Sequence, residues 1–502
     1  MVRRLGSVPW AGLAAGGLLF AASLALKWPL QAAPPFGDEG VHYWTARYLG
    51  QRTDALVNLW GYPMAAPATL LWQRPLFYLV SWLPAQAGFM AFRAAQAVLA
   101  SLLAPAAYAL LRRRGHATVT ALLAGLAVAA TPRLVLWGAY GLTDSAMTLA
   151  LAGLVWAHGE GRPRAALIAA LAATWFKETA YLAVLALLGL ELWRARRELS
   201  FWPRLALPPM ATALAWAAAI APLPLVWALA HDLPQPGGAS SAGTVAVLQG
   251  LFVSAWTVPV LVAGLAWARS RAMCAWALAA AAAIVAVHLA GRATEPWYMV
   301  PATFLGLLAV AVTCEEVARQ LWAVPARRWL GFLPSAFAVL VVLLAVTAPA
   351  AGRVVRSPWV GDDPNDLATT WHWQVHGRDA AMQAAIAALP LDGRHDILVL
   401  DLPPTVILVP VVEDASQAWW DSTVVRSVFP LDVQPLAHRI EANATWTLLD
   451  RTGLATAVAI EDTYADCVRF RNEAYLVIEG SPCAGRAEAL EQAWRDASGP
   501  TP

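Results

Sequence analysis

The chain has 502 residues, 59% of them hydrophobic and only 14% charged, where a water-soluble domain is about a quarter charged. Its net charge of +2 hides an asymmetry: 24 basic and 12 acidic residues up to Ala350, then 11 basic and 21 acidic. A basic apolar part is followed by an acidic, water-soluble part, which excludes cytosolic enzymes, secreted disulfide scaffolds, fibrous repeats and ordinary nucleic-acid binders.

A bilayer core of about 30 Å needs about 20 apolar residues per helix. On that scale spans fall near 8–29, 87–111, 117–135, 143–158, 165–176, 179–193, 205–230, 245–268, 272–290, 298–318 and 329–349. The run near 165–176 is short alone and can form a broken pair with its neighbour. The fold class is therefore a polytopic α-helical membrane protein of about 11 helices. The first run could be a cleaved signal peptide, but its length and the spans that follow favour an uncleaved helix.

Orientation follows from the arginines. With the N-terminus in the cytoplasm, 16 of the 24 basic residues of the membrane part fall on the inner side, among them Arg112 to Arg114, Arg162, Arg194 and Arg319. An odd number of crossings then puts the tail outside. The expected division is a multispanning domain over 1–350, with an outer first loop over 30–86, and an extracytoplasmic α/β domain over 351–502. In the tail, alternation predicts strands over 395–401 and 405–411, and amphipathic helices near 376–389 and 485–497. Cys467 and Cys483 lie where an oxidising exterior permits a disulfide, though two free thiols remain open.

The informative residues are ionisable groups at the outer ends of the spans. The first loop opens with Gly37-Asp38-Glu39, and the spacing of Tyr43, Trp44, Arg47 and Tyr48 predicts a helix lying in the interface. Asp38 either caps that helix or, beside Glu39, does chemistry. The loop re-enters the bilayer at Gln73-Arg74-Pro75-Leu76-Phe77-Tyr78, where Arg74 either snorkels to lipid or holds a substrate phosphate. At the next outer turn Thr143 or Asp144 can cap the following helix. At the third, Lys177 and Glu178 can neutralise each other, or Lys177 can meet a phosphate. A later outer turn offers Arg292 and Glu295, again as a pair or as ligands.

Together these residues suit a cavity in which a carboxylate deprotonates a nucleophile and cations stabilise a departing phosphate. The order GDEGVHYWTARYL, QRPLFY, LTDS and FKET resembles the polytopic, lipid-phosphate-dependent glycosyltransferases of the GT-C superfamily. The likeness is to the branch with protein O-mannosyltransferases and lipid A aminoarabinose transferases. It implies an inverting transfer from a polyprenyl-phosphate sugar to a lipid, glycan or protein acceptor at the outer face of the membrane; compact loops and short outer turns point to a bacterial plasma membrane. It also implies Asp38 as base with Glu39 and Asp144 as catalytic partners, and Arg74, Lys177 and Arg292 on the donor phosphate. His42, Tyr43, Tyr78, Glu178, Glu295 and Tyr298 would line the substrate cavity. Relatives differ over a divalent cation such as Mg or Mn, for which Asp38, Glu39 and Asp144 are the available ligands. The chain departs from the pattern in having one proline after Arg74 and no arginine directly before Tyr298. A glycan ligase or polymerase shares most of this site. A transporter or an envelope scaffold are the non-transferase alternatives.

Overall fold

The computed structural model describes residues 10–32, 39–47, 56–59, 62–64, 71–195, 208–224, 226, 300–323, 379–390, 392, 395–400, 424–428, 446–451, 461–462 and 464–479. In chain order the membrane part gives α1 (Trp10–Lys27), a 3-10 turn (Trp28–Ala32), α2 (Glu39–Arg47) and the hairpin strands β1 (Leu56–Leu59) and β2 (Tyr62–Met64). Then follow α3 (Pro75–Gln86), α4 (Phe89–Ser101), α5 (Leu103–Arg113), α6 (Thr118–Ala130), α7 (Pro132–Ala139) and α8 (Thr143–Gly159). The bundle continues with α9 (Pro163–Phe176), α10 (Ala180–Ala195), α11 (Pro209–Ile220) and α12 (Val300–Ala323).

These helices meet the spans expected from hydropathy. The run near 87–111 is α4 and α5 joined end to end as one apolar helix of 25 residues, Phe89–Arg113. It and Ala11–Gln31 are each long and apolar enough to cross a membrane. The span near 117–135 is broken into α6 and α7 at Pro132, which takes the first position of α7, where a missing N–H costs nothing. Spans 165–176 and 179–193 are two separate helices, α9 and α10. Those expected near 245–268, 272–290 and 329–349 lie outside the described residues.

Packing in the bundle relies on small side chains. Ala166, Ala170 and Ala173 of α9 are fully buried, and α9 packs along α8 and α11. In lipid, water gives no drive to bury one apolar helix against another, so association depends on close backbone approach, which alanine permits.

The C-terminal third gives α13 (Asp379–Ile386), β3 (Asp396–Leu400), β4 (Val424–Val428), β5 (Trp446–Asp450), β6 (Val468–Arg471) and β7 (Tyr475–Glu479). The expected strand over 395–401 is β3, and the helix near 376–389 contains α13. The predicted strand 405–411 and helix 485–497 lie outside the described residues. The described strands form one seven-stranded sheet in the order β2-β1-β4-β3-β5-β7-β6. Its centre is parallel, with Ile397 opposite Val425 and Leu398 opposite Thr447, and its β5-β7-β6 end is antiparallel. The hairpin of the first loop is part of this sheet: β1 pairs in parallel with β4, Val57 opposite Val425. The loop and the chain's last third are thus bound by main-chain hydrogen bonds.

Helix α2 lies beneath that sheet. Val41, Tyr43, Trp44 and Ala46 share one apolar cluster with Phe77, Phe89 and Phe92 of the bundle and with Leu389, Leu448, Tyr475 and Val477 of the C-terminal layer. The sequence reading of α2 as a helix resting on the interface is corrected here, since a helix buried on every face is a core helix. Arg47 fixes its far end by donating to the carbonyl oxygen of Ala85 at 3.0 Å, at the C-terminus of α3. A cation is favourable there against the helix dipole. Cys467 is disulfide-bonded; Cys483 lies outside the described residues.

Candidate functional site

Four segments bring charge to one end of the bundle: α2, the start of α3, the α7–α8 turn and the α9–α10 turn. The opposite end carries the arginine-rich turns after α5 and α8. Helix α3 begins on Arg74 with Pro75 at its first position, so its N-terminal N–H groups face the charged end. Helix α8 begins at Thr143 with no side-chain cap on its backbone. The capping role considered for Thr143 and Asp144 is therefore not what the structure shows; Asp144 is turned to a cation instead.

Three ion pairs organise this end. Arg74 grips Glu178 through a fork, Nε to Oε2 at 3.0 Å and Nη2 to Oε1 at 3.1 Å. Lys177 Nζ donates to both carboxylate oxygens of Asp144, each at 2.8 Å. Lys177 and Glu178, adjacent in sequence, each face a bonding partner on another element, while each still feels the other's charge. The third pair joins Glu39 of α2 to Arg93 of α4, Nε to Oε1 at 2.8 Å, with a second bond from Nη2 to Oε2.

Arg93 is the residue that the sequence reading passed over. It is fully buried and donates from Nη1 to the carbonyl oxygen of Gln31 at 3.0 Å. Its guanidinium also lies 4.7 Å from the ring centre of Phe89 and 5.1 Å from that of Tyr140. The available signal was a lone arginine inside an apolar span, which marks function or obligatory pairing. Glu39 takes a further hydrogen bond from Gly141 N–H at 2.6 Å. A glycine is needed there: an added Cβ would stand 2.2 Å from Phe92 and 3.1 Å from Cγ of Glu39.

His42 links two site residues. Arg74 Nη1 donates to His42 Nε2 at 3.2 Å, and His42 Nδ1 lies 3.0 Å from Tyr78 Oη. A guanidinium has only donors, so Nε2 accepts, the imidazole proton sits on Nδ1, and His42 donates to the tyrosine oxygen. Burial, then Arg74, then Lys177 hold the His42 pKa well below the usual imidazole range. For Lys177, burial lowers the pKa; Asp144 opposes this without reversing it. For Glu178, burial pushes upward, but the charge and hydrogen bonds of Arg74, helped by Lys177, leave its pKa lowered.

The expected site residues thus divide. Arg74, His42, Tyr78, Glu178, Lys177 and Asp144 are brought together, and Glu39 stands nearby in its own pair. The ring of Tyr43 packs between Phe89 and Phe92, at 5.3 and 5.6 Å between ring centres, which places it in the aromatic core. Asp38, Arg292, Glu295 and Tyr298 lie outside the described residues. Glu39 and Asp144, offered as metal ligands with Asp38, each have their charge offset by a buried cation and fit a divalent ion poorly. Among the described residues no group of three or more His, Cys, Asp or Glu converges.

No family model and no curated protein matches the sequence. Solved structures do match it. The crystal structure of ArnT from Cupriavidus metallidurans in the apo state is 17% identical at a TM-score of 0.50, covering 93% of this chain and 98% of that one. The same protein bound to undecaprenyl phosphate is 16% identical at 0.52, covering 95% and 99%. Arabinosyltransferase EmbB from Mycobacterium smegmatis is 16% identical at 0.36, covering 75% of this chain and 41% of that one. This chain has the fold of ArnT across nearly its whole length, in keeping with the resemblance read in the first loop.

Proposed function

We propose that this chain is an integral-membrane glycosyltransferase that moves a sugar from a polyprenyl-phosphate-linked donor to a lipid, glycan or protein acceptor, with inversion. The observation that carries the reading is the pair of cations Arg74 and Lys177 at the start of α3 and the α9–α10 turn, in a fold shared with ArnT, a protein whose structure has also been solved bound to undecaprenyl phosphate. A helix N-terminus beside a buried guanidinium is a natural seat for a phosphate.

In this reading Asp38 takes the acceptor's proton as its oxygen or nitrogen attacks the anomeric carbon. The bond from that carbon to the phosphate oxygen breaks, and polyprenyl phosphate departs with the electron pair. Arg74 stabilises the charge that grows on the leaving phosphate, in a partly dry site where it counts for more than in water. His42, neutral and fixed in one tautomer, accepts from Arg74 and donates to the Tyr78 oxygen, which holds the Arg74 plane. Glu39, the next residue in the chain after Asp38, is itself anchored by Arg93 and Gly141.

The eleven-span arrangement, the outer position of the site and the plasma-membrane location belong to the same proposal. Arginines gathered at the end opposite the site support this orientation, and the disulfide at Cys467 suits an oxidising compartment. The test is sugar release from a panel of labelled polyprenyl-phosphate sugars, with an envelope extract as acceptor. Turnover that vanishes in Asp38→Asn and falls sharply in Arg74→Ala is expected. Folded wild-type protein that neither binds nor turns over any donor overturns the proposal.

A further inference from the structure

We infer that Glu178 is the resting counter-ion of the site: it fills the Arg74 fork in the empty enzyme and is displaced when the donor's phosphate arrives. This deepens the transferase reading and rests on it. The three ion pairs differ in one decisive respect. The Arg93 and Glu39 side chains are each 0% exposed, and those of Lys177 and Asp144 2% each. Arg74 and Glu178 are 9% and 24% exposed. Two pairs are sealed, and one has an open side, on the carboxylate.

Geometry adds to this. A carboxylate and a phosphate present the same two-oxygen edge to a guanidinium, so the Nε and Nη2 edge that Glu178 takes is the one a phosphate would use. Glu178 sits in the short turn between α9 and α10, and Lys177 before it is anchored to Asp144. The turn therefore stays in place while the Glu178 side chain swings toward its exposed side, and no helix need move. One anion replaces another, which keeps the cluster near neutrality. After transfer the returning carboxylate competes with polyprenyl phosphate and helps it leave. Lys177 is then an anchor for the turn rather than the first phosphate contact.

A carboxylate that merely held Arg74 in position would act in the opposite sense, since its loss would weaken phosphate binding. Polyprenyl phosphate binding is therefore measured on the full chain in lipid nanodiscs for wild type, Glu178→Gln, Glu178→Asp and Arg74→Gln. Polyprenol lacking the phosphate is the control. Glu178→Gln should bind the phosphate about tenfold tighter than wild type, with polyprenol unchanged, and Arg74→Gln should lose the phosphate-dependent part. The shorter Glu178→Asp, which cannot close the fork, should tighten binding by a smaller factor and serves if the glutamine variant fails to fold. Equal or weaker binding by folded Glu178 variants, while wild type binds and Arg74→Gln does not, overturns the counter-ion role alone. Wild type that binds no polyprenyl phosphate overturns the transferase reading and this inference with it.

Discussion

Replacing Arg93 by methionine removes the guanidinium from the centre of the site end while keeping a side chain of similar length against Phe89 and Tyr140. The loss comprises the two-bond fork to Glu39 and the bond to the Gln31 carbonyl. Glu39 is 0% exposed, so its carboxylate cannot turn to water. Breaking a buried pair from one side costs about 3–5 kcal/mol, and two charge-assisted bonds at about 1.5–3 kcal/mol each give the same order. Glu39→Gln in the Arg93→Met background removes the stranded charge. The double variant should therefore be more stable than Arg93→Met alone, with a coupling of about 2–3 kcal/mol. Denaturant titration in mixed micelles, followed by tryptophan fluorescence, measures all four corners of the cycle. An Arg93→Met protein within about 1 kcal/mol of wild type, or strictly additive losses in the double variant, would refute the argument that this pair anchors α2.

Asp144→Asn leaves Lys177 buried without its carboxylate and should destabilise the fold by about 3 kcal/mol or more at neutral pH. The folded-state ammonium pKa is already lowered by burial, so raising the pH toward 9 should narrow the gap to wild type, as thermal unfolding at several pH values would show. His42 is held neutral in the fold, while in the unfolded chain it takes up a proton below about pH 6.5. The folded state then binds fewer protons, so its stability should fall as pH drops from about 6.5, by up to about 1.4 kcal/mol per pH unit; His42→Gln should flatten that part of a melting-point series. Gly141→Ala puts a Cβ 2.2 Å from Phe92, an overpacking cost of about 1–3 kcal/mol, and should also lower turnover by shifting Glu39; unchanged melting and kinetics would contradict the tight approach.

Much of the bundle was legible because bilayer solubility acts on each segment separately. Helices α1, α8, α9, α10 and α12 lie where apolar runs predicted them, and Pro75, Pro132, Pro163 and Pro209 each sit at a helix start. The acidic pair of the first loop and the charges in the turns between helices were visible for a related reason: an ionisable group near lipid is costly and stands out against apolar sequence. Arg93 was overlooked by attending to the ends of the spans rather than to their interior. The hairpin 56–64 was missed because two short strands become strands only by pairing with β4, some 370 residues later.

The sequence by itself determined a membrane bundle, its charged face, and a loop whose pattern resembles lipid-phosphate-dependent transferases, since hydropathy and local motifs depend on neighbouring residues alone. Only the tertiary structure decided which charge meets which. Adjacent Lys177 and Glu178 part company to reach Asp144 and Arg74, and Glu39 finds Arg93 on another helix. A buried charge must take whatever opposite charge the packing brings within a few ångströms, and that choice is written in the arrangement of helices, not in the spacing along the chain.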